Sequence, residues 1–418
     1  MRIDIDRLRH DLETLRTIGR AAETGGVSRT SFSPADAEAR RWYVERCVEA
    51  GLDVEVDGLG NMVVRARDEP STAKPVWTGS HIDSVPDGGF LDGALGAIAA
   101  LECLRRLTEE KVPLARPVRA VVFADEEGNY SHLLGSTGIA KGFDRARLEA
   151  MTGRDGDRLA DRFAELGWDL DAATRTKVEP GEVHAFVELH IEQGPNLEAG
   201  GFDIGVVTSI VGLGGGKARF QGRADHAGTT PMAKRADALL GAAEFLTTLP
   251  GLAASISDDA VVTCGLIGVE PGGANVVPGT ATVTLDFRDP DRDRLRALGE
   301  AVERSAREVA GRHGLTVTWE LDTPVAPVPL DEGIRETIAA AAERFGYRHT
   351  DLPSGAGHDS QNMALIAPTA MIFVPSKDGR SHSPAEDTSW ADIERGGNVL
   401  LATLIALASD EAPAPRGA

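Results

Sequence analysis

The stretch GSHIDSVPDGGFLDGALG, residues 79–96, places a histidine and three aspartates in a glycine-rich turn behind an apolar strand. His81 and Asp83 stand two apart, and side chains two apart on a strand share a face. Asp83 can therefore orient the imidazole while its other nitrogen binds a cation; taken alone, His81 reads first as a satisfied structural histidine. Asp92 stands just before a helix, where aspartate is a favoured cap, but its two oxygens can also bridge two cations. Glu126 and Glu127 close the strand VVFAD, at the strand end where α/β sheets bind ligands. One of two adjacent carboxylates can hold a metal while the other moves protons, although an acidic pair in a loop is commonly just solvated. His190 ends VELH beside Glu192 and Gln193, and His382 lies in DGRSHSPAED after the strand TAMIFVP. His81, Asp92, Glu127, His190 and His382 all follow predicted strands, and this mix of imidazole and carboxylate suits zinc, cobalt or manganese. With Asp92 shared, each of two ions gains two further protein ligands, and such a pair acidifies water and polarises a carbonyl.

These residues need a sheet to gather them. DVEVDGLGNMVVRA reads as a hairpin, KPVWTGSHID as a buried strand, GALGAIAALECLRRLTEE as a helix, and VRAVVFADEEG and AFVELHIEQG as further strands. The alternation predicts an α/β unit, a mixed and mostly parallel sheet with helices on both faces. The middle of the chain differs. KARFQGRADHAG, AVVTCGLIGVEPGG, ATVTLDFRDP and LTVTWEL read as strands around two helices, RADALLGAAEFLTTL and DRDRLRALGEAVERSAREVAGRHG. That order predicts a small α+β, ferredoxin-like domain at 209–325, inserted into a catalytic domain formed by 1–208 and 326–418.

The balance of 44 basic against 65 acidic residues gives a formal charge of −21. That argues against nucleic acid and anionic membranes as partners, since both demand basic surfaces. No apolar run reaches the roughly 18–20 residues of a membrane span, and the start MRIDIDRLRHDLETLRTIG has no signal-peptide core. Ile3, Ile5, Leu8, Leu12, Leu15 and Ile18 mark one buried helical face instead. Cys47, Cys103 and Cys264 form no CxxC and read as reduced core thiols of a cytoplasmic protein. The tail DEAPAPRGA reads as disordered. GSTG at 135–138 is not the GxSxG of a serine hydrolase, and GLGGG lacks the spacing of a dinucleotide fingerprint.

From about residue 10 to 408 the chain resembles the dinuclear zinc amidohydrolases related to aminoacylases and carboxypeptidases. Within them it is most similar to the branch of N-carbamoyl-L-amino-acid hydrolases and allantoate amidohydrolases. The motifs that carry the likeness are GSHIDSVPDGGFLDGALG, FADEEG, ELHIEQGP, DHAGTTPM, GGANVVPG, LDFRDP, SGAGHDSQ and GRSHSPAED. The resemblance implies a zinc-exopeptidase-like fold with a lid and dimerisation domain, a homodimer, and two divalent ions per subunit (zinc, or manganese or cobalt). His81, Asp92 and His190 would hold one ion; Asp92, Glu127 and His382 would hold the other. Glu126 would be the general base, and Asp83 would support His81. His226 would stabilise the oxyanion across the dimer, Asn275 and Arg288 would grip a substrate carboxylate, and Gln193 would meet the ureido group. Gly357 and His358 lie in a motif near the site, the role of His358 staying open.

The departures bear on substrate. Leu213 and Gly214 stand where allantoate hydrolases of the branch tend to carry Gln-Arg, which favours a carbamoylase. The run Gly214–Gly216 is expected to widen or loosen the pocket. EEGNYSHLLGS places Asn129 and Tyr130 where the branch usually shows Arg or a small polar residue followed by Phe. The leading expectation is cleavage of the carbamoyl C–N bond of an N-carbamoyl-L-amino acid to amino acid, carbon dioxide and ammonia. Alternatives are the same chemistry on allantoate, ureidoglycolate or a β-ureido acid, an N-acyl-amino-acid amidase or dipeptidase, and an inactive metal-binding protein.

Overall fold

Two clusterings of apolar residues along the chain produce two compact units. The computed structural model describes residues 1–69, 71–322 and 324–409; the tail read as disordered lies outside them. One unit comprises Met1–Thr208, Leu330–Leu352 and Ala356–Ala418, the other Ser209–Pro329 with Pro353–Gly355.

The first unit is built on a mixed sheet. Its strands lie in the order Leu52–Val56, Met62–Ala66, Val118–Phe123, Val76–His81, Ala185–Ile191, Thr369–Val374 and Ile204–Ile210. The four central strands, from Val118–Phe123 to Thr369–Val374, run parallel. The flanking pairs are antiparallel. The central strands are buried on both faces, as parallel strands under helices must be. Alternate residues feed opposite layers. Val118, Ala120 and Val122 join the layer of helices Ile5–Thr17, Ala94–Glu109 and Trp390–Ala408. Val121 and Phe123 face Ile139, Phe186 and Met363 on the other side. Each fully buried Leu, Ile or Phe contributes roughly 1.5–3 kcal/mol, against about 0–1 for an exposed ion pair. The sheet–helix core, not the many surface arginine pairs, therefore holds the strand ends in place.

One buried cation ties the first helix to the site. Arg29 donates Nε to the Ile82 carbonyl at 2.9 Å and Nη1 to the Leu15 and Ile18 carbonyls at 3.0 and 3.1 Å. Burial pulls its guanidinium down to about 10. The predicted helical face is present, with Leu8, Leu12 and Leu15 buried.

The second unit is a four-stranded antiparallel sheet in the order Thr316–Leu321, Gly212–Gln221, Thr280–Asp289, Val261–Glu270. Helices Ala238–Ile256 and Arg292–Arg312 cover one face through Phe245, Leu249, Leu298, Val302 and Val309. Numbered along the chain the strands lie 4-1-3-2, the ferredoxin-like arrangement of two crossovers. Helix Ala238–Ile256 has 19 residues and a mean hydropathy of 1.4, long and apolar enough to cross a membrane by composition. It thus reaches a length that the sequence reading excluded, while packing Ala242, Phe245 and Leu249 on the sheet. Two readings change here. Gly214 opens no space, because a Cβ there would stand 2.2 Å from the Phe287 ring that covers it; the two residues are direct cross-strand partners. Cys264 is not a core thiol like Cys47 and Cys103, since it lies half-buried on the edge strand Val261–Glu270.

Candidate metal centre

The carboxyl ends of the parallel strands converge, as they do at α/β ligand sites. His81 ends one strand, Asp125–Glu127 follow the next, and His190 is the penultimate residue of a third. His382 enters from the loop after Thr369–Val374 with a left-handed φ of 52°. Asp92 comes from the turn before helix Ala94–Glu109. It does not cap that helix: the cap position is Gly93, with no side-chain cap bond. Its carboxylate faces the imidazoles instead. Oδ1 lies 3.1 Å from His190 Nε2 and 3.6 Å from His81 Nε2; Oδ2 lies 3.1 Å from His382 Nε2. Glu127 Oε2 is 3.5 Å from His382 Nε2, and Glu126 Oε2 is 3.6 Å from His81 Nε2. The ligand atoms of His81, Asp92 and His190 lie within 4.8 Å of one another, as do those of Asp92, Glu127 and His382. Asp92 is common to both groups.

The donor set fits divalent cations. His81 Nδ1 faces the Asp83 backbone carbonyl at 3.1 Å and His190 Nδ1 faces the Ile191 carbonyl at 2.9 Å. A carbonyl only accepts, so both Nδ1 atoms carry the hydrogen and each neutral ring presents a lone pair at Nε2. Without an ion, the raised imidazole affinity puts a second hydrogen on Nε2 against the carboxylate; a cation bound between ring and carboxylate takes that hydrogen's place. Glu127 Oε1 is also buried without a hydrogen-bond partner. A third group, Glu188, His190 and His358, meets the same spacing, but both Glu188 oxygens are engaged, by the Ser80 hydroxyl and by Ser360.

Electrostatics point the same way. Burial raises Asp92, but His190, His382 and His81 outweigh it and hold the carboxyl well below its usual range. Burial, then the charges of Glu127, Asp359 and Asp92, push Glu126 well above the usual range against the pull of His81. Burial and Asp92 carry Glu127 up to about 7. Burial lowers His81, but Glu126, Asp83 and Asp92 overcome it and raise the imidazole well above its ordinary value. Five acidic groups, Asp83, Asp92, Glu126, Glu127 and Asp359, crowded in one buried region call for positive charge.

Asp83 directs its backbone carbonyl at His81, while its carboxylate is 3.5 Å away. That carboxylate accepts from the Ser31 hydroxyl at 2.8 Å and from Glu127 N–H at 3.2 Å, so it links two ligand loops. Gln193, at φ 60°, donates Nε2 to Asp92 Oδ2 at 2.8 Å. His358 is buried and packs edge-on against His190 with centroids 4.5 Å apart; burial and then His190 hold it well below its ordinary value. Gly357 is half-buried beside it. His226, Asn275 and Arg288 belong to the second unit. The short strands of His226 and Val276 pair, and Ala227 N–H donates to the Asn275 carbonyl. Gly228 N–H donates to His226 Nδ1 at 3.0 Å, which leaves Nε2 as the ring's N–H donor. Arg288 is engaged by its neighbours: Nε donates to Asp286 at 2.9 Å and Nη1 to the Gly355 carbonyl at 2.9 Å.

Two residues that motif reading passed over support Asp92. The Ser381 hydroxyl lies 3.0 Å from Asp92 Oδ2 and 2.8 Å from Glu386 Oε2. Glu386 Oε1 accepts the N–H groups of Leu91 and Asp92 at 2.8 and 3.1 Å. Both flank His382 in GRSHSPAED, and that shared segment was the available signal.

Two carboxylate–imidazole sets sharing one aspartate, with a further buried carboxyl beside them, define a site for metal-assisted hydrolysis. The sequence profile of Peptidase family M20/M25/M40 matches residues 77–406, and the chain belongs to that family of hydrolases. It is 37% identical to an N-carbamoyl-L-amino-acid amidohydrolase of Paenarthrobacter aurescens, over 93% of this chain and 94% of that protein. It is 34% identical to the allantoate amidohydrolase of Escherichia coli, again over 93% and 94%. Among solved structures, an amidase of the hydantoinase/carbamoylase family from Burkholderia multivorans superposes with a TM-score of 0.89 at 36% identity, over 98% of this chain and 99% of that one.

Proposed function

We propose that the chain hydrolyses the carbamoyl C–N bond of N-carbamoyl-L-amino acids, using two divalent ions held by His81, Asp92 and His190 and by Asp92, Glu127 and His382. The observation that carries this reading is the pair of donor sets meeting at Asp92 with Glu126 beside them. Ions bound there supply Lewis acidity toward the carbamoyl oxygen and lower the pKa of water. Glu126 takes the proton of the attacking water. Its raised pKa suits it to hold that proton and deliver it to the amino-acid nitrogen as the C–N bond breaks. The carbamate left behind yields carbon dioxide and ammonia. His226, reaching across the dimer, offers Nε2–H to the developing oxyanion. Asn275 and Arg288 take the substrate carboxylate, the guanidinium fork exchanging Asp286 for it. Gln193, Gly357 and His358 border the reacting group.

The substrate assignment rests on the 37% identical carbamoylase and on the apolar Leu213, which is paired directly with Arg288 in the sheet. The Escherichia coli relative supports allantoate as the second reading. A homodimer is supported by the edge strand Val261–Glu270, which exposes Val261, Leu266 and Ile267. Free Cys47, Cys103 and Cys264 support a cytoplasmic setting. The test is ammonia and amino-acid release from N-carbamoyl-L-amino acids, allantoate and N-acetyl-amino acids by enzyme stripped of metal and reloaded with zinc, manganese or cobalt. Metal-dependent turnover of the carbamoyl substrates is expected. Turnover of allantoate alone, or undiminished activity after stripping, overturns the assignment.

A further inference from the structure

The loop that carries Glu126 is wound against its own backbone preference. Asp125 and Leu133, neither a glycine, adopt φ of 54° and 58°, and Gly128 adopts 73°. Such residues persist only where their surroundings over-determine them. Asp125 supplies part of that constraint, its carboxylate accepting the N–H groups of Asn129, Tyr130 and Ser131 at 2.6, 2.9 and 3.0 Å. Arg154 holds the far side, donating Nη2 to the Glu127 carbonyl at 2.8 Å. The Glu126 peptide itself is gripped from within the loop. Its carbonyl accepts Leu133 N–H at 2.9 Å and His132 Nδ1 at 2.8 Å. Since a carbonyl only accepts, His132 carries its hydrogen on Nδ1. The ring then spans to the turn at Gly357, where an added Cβ would come within 3.0 Å of His132 Nε2. His132 lies in the segment NYSH, where the sequence departs from the branch it resembles.

We propose that His132 is a positioning residue for Glu126: its Nδ1–H, bonded to the Glu126 carbonyl, fixes the peptide that aims the carboxyl group at the reacting atoms. The inference rests on the reading of Glu126 as the base. The geometry gives it a specific signature. An asparagine amide nitrogen falls near the place of Nδ1, a glutamine amide nitrogen near that of Nε2, and phenylalanine keeps the ring without a donor.

The experiment compares His132→Asn, His132→Gln and His132→Phe with Glu126→Gln, measuring kcat and KM on the best carbamoyl substrate together with bound metal. His132→Phe and His132→Gln are expected to lose about 10- to 100-fold in kcat, as a shift of up to 1 Å in a reacting group would cause. KM and metal content should change little, and His132→Asn should recover most of the loss. Adding His132→Phe to Glu126→Gln should cost nothing further, because the histidine acts through the glutamate. Equal losses in all three variants, a loss confined to KM, wild-type kcat in His132→Phe, or an undiminished loss in the Glu126→Gln background would each overturn the proposal. Substantial activity in Glu126→Gln itself would remove the base reading first, which separates the two failures.

Discussion

Gly93 separates Asp92 from the helix behind it and lies against the ring of His81. Its φ of 62° and ψ of −46° fall outside the regions open to other residues. An alanine Cβ there would sit 2.3 Å from Cδ2, Cε1 and Nε2 of His81. Ordinary contact begins near 3.4 Å, so 3.4 − 2.3 leaves 1.1 Å for the imidazole to retreat. The ring is buried and bonded through Nδ1, and cannot move that far while keeping Nε2 where it would hold a cation with Asp92. A misplacement of about 1 Å costs on the order of 10²-fold in rate. The backbone adds roughly 1–3 kcal/mol of instability. Gly93→Ala is therefore expected to lose at least about 100-fold in kcat/KM, with less metal retained. Gly346→Ala is the matched control. Gly346 has φ 74° at the end of helix Glu332–Phe345, with nothing within 4 Å of its added Cβ. It should show a comparable backbone cost of about 1–2 kcal/mol and unchanged kinetics. The assay is kcat/KM with metal analysis by atomic absorption and urea unfolding for both variants. Wild-type kcat/KM and full metal in Gly93→Ala would refute the reasoning. Equal activity loss in Gly346→Ala would show that instability, not the His81 contact, was responsible.

Glu126→Gln keeps the shape and removes the proton acceptor; kcat should fall by about 10²–10⁴-fold, metal content should persist, and substantial residual turnover would sink the base role. The same change removes a carboxyl whose charged form burial and Glu127 disfavour, so the metal-free variant should unfold at no lower urea concentration than the wild type. Arg288→Ala should raise KM for carboxylate substrates by at least about 10-fold, the loss of a charge-assisted bond worth roughly 1.5–3 kcal/mol, and an unchanged KM would refute the grip. Burial pushes the Cys47 thiol up to about 12 and Cys103 well above its usual range. In native protein at pH 8 a disulfide reagent should therefore react with no more than one thiol per chain, Cys264, and with three after denaturation; fast reaction of a second would contradict the burial of that core.

The residue types at the centre were legible because metal chemistry is local in its demands. A histidine or carboxylate after a predicted strand is a candidate before any contact is known, and His81, Asp92, Glu127, His190 and His382 were read as candidates together, each weak or structural when taken alone. The strands that deliver them were legible for the same reason: the runs around Val76–His81 and Ala185–Ile191 are continuous and apolar, as strands buried on both faces must be. Who touches whom was not legible. Asp92 and Ser381 are 289 positions apart. Their meeting depends on sheet order, and sheet order follows from packing that no local window contains. The sequence read Asp92 as cap or ligand; the structure shows Gly93 at the cap and the carboxylate turned to the imidazoles. It assigned the orientation of His81 to the Asp83 carboxylate, whereas the nearer acceptor is the Asp83 backbone carbonyl, because the chain turns immediately after the strand. It read the run Gly214–Gly216 as widening or loosening the pocket; at Gly214 a cross-strand ring from Phe287 fills the space, a contact set by register. Composition and spacing thus determined which atoms could do the chemistry. The tertiary structure decided their tautomers, their partners and their room to move, since those are properties of neighbours brought together only when the sheet closes.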